Sequence, residues 1–180
     1  LDGLMRFVPR KNESEFLAPT FWDQMGQIAA TGRITVIALP WAPESAGAGM
    51  NKMVAEGKFR DFHRKIAALM IRYNLNRPNV VLRLCWEYNS LGGGGWYHWS
   101  TVNDGVGTFR LAWTTAVDTF REAGITEPLW FQCANKGPQN NNKVTGADVW
   151  IDAYVDGAGL DHYNSWPPQN HDAGWNTAIN

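Results

Sequence analysis

The chain has 180 residues, with 16 Lys and Arg against 17 Asp and Glu and a formal charge of −1. That balance, without any run of basic residues, gives no support to a nucleic-acid or acidic-membrane partner, and no apolar run approaches the roughly 18 residues of a membrane span. The length suits one domain, 1–180, with a sizeable core, and the compositional outlier is tryptophan, with ten residues spread over the chain.

The N-terminal LDGLMRFVPRK lacks the basic start and long apolar stretch of a signal peptide. Leu4 to Val8 reads as a short strand ended by Pro9, and Asn12-Glu13-Ser14 matches the glycosylation acceptor pattern. Thr20 offers a cap for a helix to Thr31, with Phe21, Trp22, Met25, Ile28 and Ala29 on one face and Gly32 as the stop. Arg33 to Trp41 is β-branched and apolar, a second strand, followed by a small-residue loop, APESAGAGMN. From Lys58 to Leu75 the apolar residues Phe59, Phe62, Ile66, Leu69, Met70 and Tyr73 recur at helical spacing, and His63, among charged residues, is expected at the surface.

Asn79 to Tyr88 then reads as a buried strand with apolar residues on both faces, as in a parallel sheet covered by helices. By the period of two, Arg83, Cys85 and Glu87 share one face. A four-glycine loop follows, then the aromatic cluster Trp96, Tyr97 and Trp99. The next helix, Gly107 to Ala123, carries Phe109, Trp113, Ala116, Val117 and Phe120 as its core stripe and stops at Gly124. Pro128 to Asn135 is a fourth strand. Tyr154 to Tyr163 is a fifth, with small residues where a helix presses close, and Asp161 and Tyr163 share a face at its end. Trp166 follows directly. Cys85 and Cys133 both fall in strands, which favours two buried thiols over a bridge. The four histidines lack the i, i+4 spacing of a helical zinc pair, so neither a metal nor another cofactor is expected.

Strand and helix alternate, which means βαβ units and a parallel sheet, the α/β class. An open doubly wound sheet and an eight-fold (β/α)8 TIM barrel both fit that rhythm. The glycines of LGGGGW match neither a dinucleotide nor a P-loop spacing. An acid, Glu87, an amide, Asn89, and several aromatics gather at strand C-terminal ends, where barrel enzymes place their chemistry. Such a set suits a polar ligand with flat apolar faces, and a sugar fits that description.

The residues VVLRLCWEYN, followed by WYHW, resemble the motif of glycoside hydrolase family 26, retaining (β/α)8 barrels. The similarity continues through PLWFQCAN to WIDAYVDGAGLDHYNSW, which is similar to the family's sixth-strand segment. The resemblance implies that Glu87 is the general acid/base and that Asn89, Trp96 and Trp99 line the sugar cleft. It matches Asp161 and Tyr163 to the sixth-strand pair, and Trp86 stands where the family usually has histidine. Trp41 and Trp166 are either core or sugar platforms. Asp161 is a nucleophile candidate by location, with a hydrogen-bonding role as the alternative. The family's nucleophile is a glutamate on a seventh strand, which is expected outside this chain.

The 180 residues thus read as an incomplete TIM barrel of about five βα units, matching strands two to six. The implied activity is a retaining endo-glycosidase on β-1,4-linked polysaccharide, mannan first, in a secreted protein. The alternative is a non-catalytic carbohydrate binder on the same frame, and a purely structural βα domain is the third reading. Five strands leave two unpaired edges, which more of the same barrel or another copy would cover.

Overall fold

The computed structural model describes residues 3–90, 97–135 and 144–161. Five strands carry the fold: β1 (Gly3–Phe7), β2 (Ile34–Leu39), β3 (Val80–Leu84), β4 (Leu129–Asn135) and β5 (Gly157–Asp161). Between them lie α1 (Glu13–Phe16), α2 (Pro19–Ala30), α3 (Met50–Ala55), α4 (Arg60–Arg72), α5 (Thr101–Glu122) and α6 (Gly146–Val149). All four strand pairings are parallel, in the order β1-β2-β3-β4-β5. Each new strand therefore adds to the same edge. A doubly wound sheet reverses that direction part-way, whereas a barrel never does. The doubly wound alternative is excluded over these five strands, which form an incomplete α/β barrel.

The register shows which face is which. Thr35, Ile37, Leu39, Val80, Leu82, Leu84, Trp130 and Gln132 alternate along their strands and are all buried. This is the face against which α2, α4 and α5 pack, with Met25, Ile66, Phe109, Trp113 and Phe120 in the same core. The opposite face bears Met5, Phe7, Ile34 and Leu129, which are 36–45% exposed. Burying a side chain of that size contributes roughly 1.5–3 kcal/mol, so the helix-covered face holds most of the stabilisation.

β2, β3 and β5 begin and end a residue or more inside the sequence reading, because strand geometry stops where the ladder stops, while β1 lies one residue earlier than read and β4 ends where read. The longest discrepancy is at β3, which ends at Leu84 rather than near Tyr88. The small-residue segment after β2 is not simply a loop: a 3₁₀ turn over Glu44–Ala46 leads into α3, which packs on α5. Helix α5 starts at Thr101, six residues before the apolar stripe suggests, with Ser100 as its cap. Gly105 joins the added turn to the rest at φ 81° and ψ 160°, a conformation that is essentially glycine's alone. Asn12 is a helix cap, its side chain accepting from Glu15 N at 2.9 Å.

Two further expectations are corrected. His63 is not a surface residue. It is 1% exposed, its Nε2 lies 2.7 Å from the Trp41 carbonyl oxygen, and it stacks on Phe120. Of the charged residues around it in sequence, Asp61, Arg64 and Lys65 are exposed and Arg60 pairs with Glu122 of α5. Gly157 of β5, expected where a helix presses close, answers a neighbouring strand instead. At Gly157 a Cβ would stand 2.3 Å from the Phe131 ring of β4, so the glycine makes room for a neighbouring strand's aromatic side chain.

Burial lowers the His63 pKa to about 4. The unfolded chain, with an ordinary histidine, binds more protons between that value and about 6.5, so stability is complete above about 6.5 and falls as pH drops towards 4. Urea midpoints measured across that range should show a loss on the order of 3 kcal/mol, and His63→Gln should flatten that part of the profile. Gly26 of α2 faces the Tyr73 carbonyl so closely that a Cβ would lie 2.2 Å from its oxygen. Gly26→Ala is expected to cost about 2–3 kcal/mol by the same measurement.

Candidate active site

The strand ends at Leu84, but its backbone continues to bond to both neighbours. Cys85 N donates to Leu39 O of β2 at 3.0 Å, and Glu87 N donates to Cys133 O of β4 at 2.7 Å. Between and around these bonds the chain turns: Cys85 has φ 44° and Glu87 has φ 53°. Both are non-glycine residues in the left-handed region, where each costs on the order of 1–3 kcal/mol. The face-sharing of Arg83, Cys85 and Glu87 by strand alternation therefore does not hold past Leu84. Glu87 reaches the mouth of the sheet by a turn instead.

Surrounding bonds hold this turn in place. Trp99 Nε1 donates to Trp86 O at 2.8 Å, and Tyr88 O accepts from Thr101 N at 2.8 Å and Thr101 Oγ1 at 3.1 Å. From α3, the buried Asn51 donates through Nδ2 to Trp99 O and Ser100 O at 3.2 and 3.3 Å. Asn89 clasps the end of β4, its Nδ2 donating to Asn135 O at 3.0 Å and its Oδ1 accepting from Asn135 N at 2.7 Å. These are the positions that strain demands: a disfavoured backbone persists only where its surroundings over-determine it.

Glu87 is 5% exposed, and its pKa is raised. Burial is the main cause, with the negative charge of Asp161 adding to it. Pulling the other way are Asn135, the Arg83 cation and the Tyr97 hydroxyl. Ser90 Oγ lies 3.5 Å from Glu87 Oε2. Arg83 and Asp161 form an ion pair across β4, Nη2 to Oδ2. The same guanidinium reaches Met5 Sδ at 3.2 Å and lies over the rings of Phe7 and Trp86, 5.9 and 6.0 Å from their centres. Arg83 thus takes the structural pairing that its burial implies.

On the β1 and β2 side, Arg10 Nε donates to Glu44 Oε1 at 2.6 Å, and its guanidinium lies 5.4 Å from the Trp86 ring centre. Backbone bonds from Glu44 N to Arg10 O and from Ser45 N to Lys11 O join the two loops. Trp86 is consequently surrounded by Phe7, Arg10, Arg83, Tyr97 and Trp99. Cys85 and Cys133 are both free and buried. Burial pushes the Cys133 thiol up to about 12 and Cys85 well above its ordinary value, so neither supplies a thiolate.

The strand ends bring Glu87, Asp161, Asn89 and Arg83 together. Trp99, expected to line the sugar cleft, and Trp41, left open between core and sugar platform, are both enclosed. Trp99 is fully buried between Trp86 and Tyr97, and Trp41 is 1% exposed against Phe109 and Trp113. Neither has a free ring face, so both belong to the core. Asn89 likewise spends its amide on Asn135. Trp96, Tyr163 and Trp166 lie outside the described residues. Residues that sequence reasoning missed are Asn51, Arg10 and Glu44, none of which carries a local motif.

Solved structures share this architecture. The YdhT protein from Bacillus subtilis matches with a TM-score of 0.69 at 17% identity, over 89% of this chain and 55% of its own. The family 26 β-mannanase BoMan26A from Bacteroides ovatus matches at 0.64 with 13% identity, over 98% and 56%. This chain has the barrel fold of glycoside hydrolase family 26, in part. A double mutant of the Cellulomonas fimi endo-β-1,4-mannanase matches at 0.63 with 21% identity, over 89% of this chain and 38% of that one. The chain spans about half the length, or less, of these structures. No family model matches it, and no curated protein does. Among the described residues, no helix is long and apolar enough to cross a membrane.

Asp161→Asn should lower the Glu87 pKa, since it removes a nearby negative charge and frees the Arg83 cation to act on Glu87 alone. A carbon-13 titration of the labelled glutamate carboxyls checks the direction. Arg83→Met strands Asp161 in a partly buried site and should cost about 3 kcal/mol in a denaturant melt.

Proposed function

We propose that this chain carries the acid/base half of a retaining endo-glycosidase that hydrolyses a β-1,4-linked polysaccharide of the mannan type. The observation that carries the proposal is Glu87. It is a buried carboxyl at a strand C-terminal end, on a strained turn, with its pKa raised by burial and by Asp161. A carboxyl whose neutral form is favoured can protonate a leaving glycosidic oxygen. Two of the structural neighbours are β-mannanases, which supports mannan as the first substrate to try.

A retaining reaction uses two carboxyls about 5–5.5 Å apart. Glu87 would give its proton to the departing sugar as the nucleophile attacks the anomeric carbon. In the second step it would take a proton from the water that releases the glycosyl group. Asp161 is committed to Arg83, so we assign the nucleophile to a glutamate outside these 180 residues. Trp96, Tyr163 and Trp166 are proposed as sugar contacts. The exposed strand face around Met5, Phe7 and Leu129 would be covered by further barrel strands, from the same polypeptide or from another copy. A secreted location follows from the same reading.

The non-catalytic sugar-binding alternative draws less support, because Trp41 and Trp99 present no ring face. The test is reducing-sugar release from mannan, mixed-linkage glucan and xylan, on these residues and on any longer polypeptide that carries them. Mannan turnover is expected to fall by about 10²–10⁴-fold in Glu87→Gln. Equal turnover in both proteins would remove Glu87 from the chemistry.

A further inference from the structure

Glu87 opens a tight turn that comes back to it. Ser90 N donates to Glu87 O at 2.9 Å, which brings the two side chains together, and Ser90 Oγ donates to Glu87 Oε2 at 3.5 Å. The serine is held from both sides. Its carbonyl accepts from the hydroxyl of Ser100, the cap of α5. Its own hydroxyl oxygen accepts from Asn135 Nδ2, at the end of β4, at 3.4 Å. The Asn135 backbone is itself fixed, because Asn89 clasps both its N–H and its C=O. These bonds decide which way the serine hydrogen points. A hydroxyl has one hydrogen to give and two lone pairs with which to receive, whereas an amide nitrogen only gives. Ser90 therefore receives from Asn135, and its one hydrogen is left for the Glu87 carboxyl.

We propose that Ser90 is a positioning residue for Glu87: its hydroxyl donates to Oε2, holds the carboxyl in one rotamer and leaves Oε1 as the oxygen that carries and delivers the proton. The catalytic consequence rests on Glu87 being the acid/base, as proposed above, but the contact itself does not. At 3.5 Å the bond is at the long end of its range, so its effect on proton affinity is moderate. The charged and titratable groups around the carboxyl are Asp161 of β5, Arg83 of β3 and Tyr97 ahead of α5, with Cys133 of β4 bonded to the Glu87 backbone. Arg83 and Asp161 are paired with each other. Ser90 is a neutral donor, and its removal changes the charge of none of them. A hydroxyl that donates to a carboxylate favours the charged form, so Ser90 offsets part of the rise that burial causes. A carboxyl balanced in this way can both release a proton and regain it.

Ser90→Ala removes the hydroxyl alone, Ser90→Thr keeps it, and Ser90→Cys puts a weak thiol donor of similar shape in its place. In this chain, or in a longer polypeptide that carries it, labelled with carbon-13 at the glutamate carboxyls, the Glu87 resonance is assigned by its loss in Glu87→Gln. We expect the Glu87 midpoint to rise by about half a pH unit in Ser90→Ala, with the other glutamates unmoved, and to stay in place in Ser90→Thr. Ser90→Cys should raise it nearly as far and serves if the alanine variant melts early. An unchanged Glu87 midpoint in both Ser90→Ala and Ser90→Cys overturns the inference. An equal rise in Ser90→Thr overturns it too, since the hydroxyl would then not be the cause. On an active polypeptide, Ser90→Ala should lower kcat about threefold to tenfold, leave KM nearly unchanged and shift the alkaline limb of the pH profile upward, and Ser90→Thr should restore kcat and profile. If the midpoint moves but no polypeptide cleaves any glycan, the contact stands and the proposed function falls. If cleavage needs Glu87 but the midpoint stays, only the contact falls.

Discussion

The ion pair between Arg83 and Asp161 is the interaction on which the site depends. It links the middle of the sheet to β5 across β4, on the face opposite the one that α2, α4 and α5 fill. Placing a cation among Phe7, Met5 and Trp86 is costly unless a carboxylate compensates it. Once it does, the two charges act on Glu87 in opposite directions, Asp161 raising its pKa and Arg83 lowering it. Burial then decides the sign. The carboxyl is thereby biased towards its neutral form.

Backbone strain is the second half of the arrangement. Cys85 and Glu87 hold left-handed conformations that neither residue favours, and the stabilising contacts come from elements far away in sequence. Asn51 of α3 holds the Trp99 and Ser100 carbonyls, Asn89 clasps β4, and Trp99 bonds the carbonyl of Trp86. The division of labour is plain. One sheet face is filled by helices and supplies stability, while the strand ends spend some of it on a fixed carboxyl.

Much of this was legible in the residues. Apolar spacing placed α2, α4 and β2 to within a few residues, and the alternation of strands and helices pointed to a parallel sheet. The motif around Glu87 pointed to the barrel whose fold the solved structures share. What was not legible has physical reasons. No propensity marks Cys85 or Glu87 for a left-handed turn, so the β3 pattern ran on into Tyr88. His63 sits among Arg60, Asp61, Arg64 and Lys65, and its burial is explained by contacts distant in sequence, the Trp41 carbonyl and the Phe120 ring. Tryptophans serve cores and sugars with the same ring, so Trp41 and Trp99 could be assigned only once their neighbours were placed. Asn51, Arg10 and Glu44 act through contacts that are long-range and carry no local signature.

The most direct test of the account is whether Glu87 matters in proportion to the leaving group's need for a proton. In Glu87→Ala, turnover of mannan should collapse, while an aryl glycoside with an acidic phenol as leaving group should still be cleaved and its turnover restored by azide. An acid/base carboxyl behaves in this way because an acidic leaving group needs no proton and azide needs no general base. Equal loss on both substrates, without rescue by azide, would contradict the assignment of Glu87 as acid/base.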